Sequence, residues 1–197
     1  MSGKEEVVRP KGFRVVHLVL IAVIAAVSTV ASIAASVLQP FPGLAFIYLP
    51  GGILPVFGIW FGPWALIGAI IAGVLYAPAW GMAPHFGLLS GLSDAVYALI
   101  PWIAFKVTNA DPSLKNKKDY AVWLVFVVIL ATVVTDFTYQ MLSIYVYGWY
   151  TMDMFPISYT VSVTGGLIAV IPLSFILLKV LSPYVKKSSL YVKGWIY

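Results

Sequence analysis

The chain of 197 residues is 61% hydrophobic and only 10% charged, with a mean hydropathy of +0.97. That balance excludes an ordinary soluble domain and reads as an all-α, polytopic membrane protein. At about 20 residues per crossing, five to seven spans use nearly the whole length, so residues 1–197 are expected to form a single membrane domain. The absence of cysteine excludes disulfides, thiolate metal sites and cysteine nucleophiles, and the net charge of +5 comes from clusters of Lys and Arg beside the spans rather than from a nucleic-acid surface.

Residues 1–14 are polar, with Lys4, Arg9, Lys11 and Arg14 against Glu5 and Glu6. They are too charged for a signal-peptide n-region, and no cleavage site follows a short apolar core. The first predicted span, 15–38, is rich in small residues. Ala22/Ala26 and Ala31/Ala35 are small-xxx-small pairs that let helix backbones approach closely in lipid. Internal packing and a subunit interface both fit them, one pair facing inward and the other outward. Gln39-Pro-Phe-Pro-Gly then breaks the helix.

The apolar run 44–83 is too long for one crossing. Phe61-Gly62-Pro63 is the expected break, because proline suits the first turn of a helix and not its interior. Two short spans result, 46–60 and 63–76, the first irregular through Pro50 and Pro55. The loop 77–87 carries no basic residue, and His85 is its one titratable group; plain surface and ligand contact both suit it. The fourth span, 88–105, places Ser90, Asp94, Tyr97 and Ala98 on one face. A hydrophilic connector, 106–119, holds Lys106, Lys115, Lys117 and Lys118.

The fifth span, 120–148, is amphipathic. Thr132, Asp136, Tyr139, Gln140, Ser143, Tyr147 and Tyr150 share one face at 100° per residue. Val127, Leu130, Val134, Phe137, Met141 and Ile144 form the other, suited to lipid or a packed neighbour. A carboxylate near the bilayer centre costs about 2.5–3.5 kcal/mol on insertion scales, so Asp136 and Asp94 mark a candidate functional site, with a structural hydrogen-bonded role as the alternative. A loop at 149–155 leads to the sixth span, 156–181, with Gly165, Gly166 and Pro172 as weak points. The tail, 183–197, mixes Lys186, Lys187 and Lys193 with aromatic residues, an interfacial composition.

Six spans put all 12 Lys and Arg residues on one side. By the positive-inside rule that side is cytoplasmic, as are both termini. The two aspartates then lie in the outer half, about 10–20 Å below the outer face. The predicted ligand cavity is built from Asp94 and Tyr97 on the fourth span and Asp136, Tyr139 and Gln140 on the fifth. The outer-loop aromatics Trp80, Trp149 and Tyr150 and the loop Gln39 to Gly43 are expected to surround it, with Tyr147 of the same polar face and His85 as further candidate contacts.

The size, the expected six spans, Ala22-Val-Ile-Ala-Ala26, Ala31-Ser-Ile-Ala-Ala35 and the segment Pro50-Gly-Gly-Ile-Leu-Pro-Val-Phe-Gly-Ile-Trp-Phe-Gly-Pro63 together resemble the substrate-binding S component of energy-coupling-factor vitamin transporters. The resemblance covers nearly the whole chain. It implies a high-affinity binding subunit in the cell membrane, with no enzymatic activity of its own and no cofactor. It also implies partners: a transmembrane coupling subunit, met through small residues of the first helix, and two ATP-binding cassette ATPases. The family's ligand site lies on the outer side. The absence of a P-loop agrees with ATP hydrolysis by a partner.

Other classes fit less well. A retinal protein needs a mid-span lysine, and none is present. An intramembrane aspartyl protease would use two aspartates on adjacent spans, but its Tyr-Asp and Gly-x-Gly-Asp motifs are replaced by Leu92-Ser-Asp94 and Val134-Thr-Asp136. An independent small-solute carrier, with Asp94 and Asp136 as a proton relay, remains the chief rival. Two acids, several aromatics and no nearby base favour a neutral or cationic flat heterocycle over an anion such as folate or biotin.

Overall fold

The computed structural model describes residues 15–39 and 44–192. The basic segment with Lys4, Arg9, Lys11 and Arg14, the turn at 40–43, and Lys193, Trp195 and Tyr197 of the tail lie outside the described residues. All regular structure among the described residues is helical: α1 (Val15–Ser36), α2 (Leu49–Phe61), α3 (Pro63–Tyr76), α4 (Pro84–Thr108), α5 (Lys117–Tyr145) and α6 (Phe155–Val185). Short 3-10 turns, Ala77–Trp80 and Met152–Met154, follow α3 and precede α6. Five helices are long and apolar enough to cross a membrane, α3 with its 3-10 extension to Trp80, whereas α2 has only 13 residues. The chain therefore reads as a multi-pass membrane protein.

The break before Pro63 falls where the sequence places it. Gly62 has φ 56° and ψ −128°, a left-handed backbone that side-chain-bearing residues rarely adopt, and Pro63 opens α3. The short α2 is buried on nearly all sides, packed between α4 and α6, while α3 lies between α1 and α4 and α5 closes against α4 and α6. Close approach is what the small residues supply. A Cβ on Gly73 would run into the backbone of Gly87 and Gly91, and one on Gly58 into that of Ala98. Gly165, Gly166 and Pro172 do not interrupt α6, which runs through them.

Helix α1 separates its two alanine pairs. Ala31 is 8% and Ala35 0% exposed, packed inside the bundle. Ala22 and Ala26 instead lie on an exposed stripe with Leu18, Val19, Val23, Val30 and Ile33. The pair Ala31/Ala35 is therefore covered by the chain itself, and only Ala22/Ala26 remains open to a partner.

In α5 a π-helical stretch, Trp123–Ala131, precedes Thr132. Its i→i+5 register resets the helix face, so Val127, placed by simple 100° spacing beside Phe137, is fully buried while Phe137 is 48% exposed. The helix ends at Tyr145, and Tyr147 and Tyr150 sit in the following turn at Gly148, not on the helix face.

The end of the bundle that carries the lysines is tightly clamped. The Trp60 indole donates to Ser182 Oγ at 2.9 Å, Ser182 donates to the Pro112 carbonyl, and the Val192 amide donates to the Trp60 carbonyl. Lys106 Nζ caps the Val192 carbonyl. Asp119, 3% exposed, accepts the backbone N–H groups of Asp111, Lys115 and Asn116 at 2.9–3.0 Å.

Candidate functional site

At the opposite end, a cavity enclosing about 440 Å³ of atom-free space, its open mouth included, lies between the non-helical approach to α2, the end of α3, and α4, α5 and α6. It is lined by Tyr48, Tyr76, Trp80, Tyr97 and Tyr139, by Asp94 and Asp136, and by Ala45, Thr135 and Ser162. No Lys, Arg or His is among them. Aromatic walls with a few converging polar groups are the usual make-up of a small-molecule site.

Each acid is delivered by one of the predicted polar faces. Asp94, 5% exposed on α4, accepts the Tyr48 hydroxyl at 2.8 and 2.7 Å to its two oxygens and the Tyr76 hydroxyl at 2.7 Å. Asp136, equally buried on α5, accepts Ser162 Oγ at 2.9 Å, with the Tyr97 hydroxyl at 3.5 Å from its other oxygen. Helix α4 is tied to α5 nearby by Ser93, whose hydroxyl donates to the Thr135 carbonyl at 3.2 Å. Among the described residues both carboxylates are thus held by hydroxyl donors, and neither forms an ion pair.

Tyr48 reaches the site from a non-helical segment. Its amide donates to the Gly165 carbonyl at 3.4 Å, and glycine at 165 leaves room for the backbone of Ala45 and Phe46 to lie on α6. Irregular backbone at membrane depth is tolerated where it lines a cavity or is buried in protein.

The structure brings together Asp94, Tyr97, Asp136, Tyr139 and Trp80 as the sequence predicts. Five other predicted residues stand apart, Tyr150 among them in the turn after α5. His85 is exposed at the start of α4, its ring 4.3 Å from that of Phe86, and does not reach the cavity. Gln140 is fully buried one turn beyond Asp136, and neither atom of its amide group has a hydrogen-bond partner. Tyr147 folds back onto α4, 2.9 Å from Ser90 Oγ and donating to the Phe86 carbonyl at 3.0 Å. Trp149 packs on Tyr147, ring centroids 4.8 Å apart, against the cluster holding Tyr76 and Trp80. These two form a layer beside the cavity rather than its lining.

Tyr48, Tyr76, Thr135 and Ser162 were not singled out by the sequence. Thr135 adjoins Asp136 and lines the same cavity; the other three are set by which segments pack together. No family model, curated protein or solved structure matches the chain.

Proposed function

We propose that this chain is the substrate-binding S component of an energy-coupling-factor importer, taking up a vitamin-like heterocycle that is neutral or cationic. In this reading the bundle crosses the cell membrane six times with both termini cytoplasmic, and the cavity opens outward. The observation that carries it is the division of the bundle into two ends. Seven described lysines, Lys106, Lys115, Lys117, Lys118, Lys179, Lys186 and Lys187, gather at the clamped end, and the acidic aromatic cavity lies at the other. That division follows the positive-inside rule. The sixth crossing is α2, about 20 Å long at 1.5 Å per residue, with the non-helical approach at 44–48 supplying the remaining depth.

The exposed Ala22/Ala26 stripe on α1 is the face offered to the transmembrane coupling subunit, and two ATPases complete the machine. Ala26→Leu should abolish uptake in cells while leaving ligand binding by the purified chain intact. Loss of both together removes the interface. The co-purifying small molecule, identified by mass spectrometry, supplies the ligand for that assay. Uptake by proteoliposomes holding this chain alone would instead favour an independent carrier, a reading supported by the two carboxylates sharing one cavity.

A further inference from the structure

The two carboxylates of the cavity differ in what they still lack. Asp94 is the better supplied: Tyr48 shares its hydroxyl proton between the two oxygens at 2.8 and 2.7 Å, and Tyr76 donates to one of them at 2.7 Å. Asp136 has one good donor, Ser162 on Oδ1, and on Oδ2 only the Tyr97 hydroxyl at 3.5 Å, beyond ordinary hydrogen-bond length. Beside it Thr135 lines the same cavity, is 2% exposed, and its hydroxyl has no partner. The cavity lining thus includes a carboxylate oxygen short of a donor and, on the adjoining residue, a buried hydroxyl without a partner, with no cation among the described lining residues. Buried oxygens of this kind call for donors or a cation, because leaving them bare forfeits their solvation.

We propose that the Asp136–Thr135 corner is a subsite for a compact monovalent cation. That cation is either the protonated, N–H-bearing amine or amidine of the substrate or a free sodium ion. The inference rests on the reading of the cavity as a substrate site and narrows the substrate class within it. Asp94 is then a positioning residue, fixing Tyr48 and Tyr76 as aromatic walls. Those walls, with Trp80, Tyr97 and Tyr139, would attract any cation by their faces. A quaternary nitrogen would gain from the rings alone and leave the Asp136 and Thr135 oxygens unpaired. An N–H cation satisfies both, as does sodium, whose preferred ligands are such hard oxygens.

The test uses the full chain in detergent and follows the melting temperature against concentration of three matched probes: benzylamine, benzyltrimethylammonium and benzyl alcohol. Benzylamine should bind about tenfold or more tightly than either analogue. Asp136→Asn should erase that preference, and Thr135→Val, which keeps the shape, should weaken benzylamine several-fold without affecting benzyl alcohol. A parallel titration compares sodium chloride with tetramethylammonium chloride. Sodium-specific stabilisation that is lost in Asp136→Asn and competes with benzylamine identifies a free ion as the occupant; amine binding indifferent to sodium identifies the substrate's own group. Equal affinity for the three probes, benzylamine affinity unchanged in both variants, or no cation-specific stabilisation at all overturns the subsite. Those results leave the transport reading standing, since that fails separately, on partner-free uptake.

Discussion

The protein holds two pairs of aspartates and treats them in opposite ways. Asp111 and Asp119, in and beside the connector between α4 and α5, are met by what a carboxylate prefers: lysine ammonium groups and backbone N–H donors. Lys186 lies 2.7 Å and Lys115 3.4 Å from Asp111, and Asp119 takes three backbone amides. Asp94 and Asp136 are met only by hydroxyls. The first pair is internally complete and serves to hold chain segments together. The second is arranged so that at least one oxygen still faces open space, which a structure built only for stability would avoid.

The largest effect that separates the pairs should come from Asp119→Ala. It strands three backbone amides at once, and with each unsatisfied donor costing about 1–3 kcal/mol, a loss of about 3 kcal/mol or more is expected in thermal melting of the detergent-solubilised protein. Ligand affinity of the protein that remains folded should stay near wild type. A large change in affinity with little change in melting would erase the contrast between the pairs.

Asp136→Asn should show the reverse pattern. The shape is kept and the charge removed, so a cationic ligand should bind about 1.5–3 kcal/mol more weakly, read by calorimetry with the co-purified compound. Phe137→Tyr, on the exposed side of α5, is the control and should change little. If Asp136→Asn binds normally yet melts early, the acid is structural after all.

How much of this contrast was legible in the sequence depends on the distance between partners. The polar face of α5 and the acid of α4 could be read from helical spacing, and the Gly62-Pro63 turn from two residues. The donors that decide what each acid can do could not, because Tyr48 lies 46 and Tyr76 18 residues from Asp94, and Ser162 26 from Asp136. Those pairings follow from which helices pack together. The π-helical stretch was hidden for another reason: its residues, Trp123–Ala131, are uniformly apolar, so no change of face shows in their pattern. His85 misled because a lone titratable group in a loop carries no information about which way it points.

Tyr48→Phe should have a smaller, mixed effect. Removing that hydroxyl leaves Asp94 with Tyr76 as its one remaining donor, for a net cost of about 0.5–1.5 kcal/mol, and it frees the non-helical approach to α2. Faster ligand dissociation in stopped-flow tryptophan fluorescence, with melting only slightly lowered, is the expected result. An unchanged dissociation rate would place Tyr48 with the structural residues instead.

The smallest effect concerns acid and the Asp111–Asp119 pair. Burial alone would raise the Asp111 carboxyl. The hydrogen bond from Lys186, the Ser113 amide, the charge of Lys186 and the contact with Lys115 outweigh it and hold the group at about 2. Because this lies below the ordinary value near 3.9, the stabilisation is fully present above about pH 4 and is lost as the pH falls through 2. The clamp is partly solvent-exposed, so its contribution is modest and screened by salt. Melting curves of wild type and Asp111→Asn should therefore run parallel at neutral pH, wild type the more stable, and converge between pH 4 and 2. Added salt should narrow the gap at neutral pH. A gap that persists undiminished at pH 2 would show that Asp111 acts through its shape and the Ser113 contact rather than through its charge.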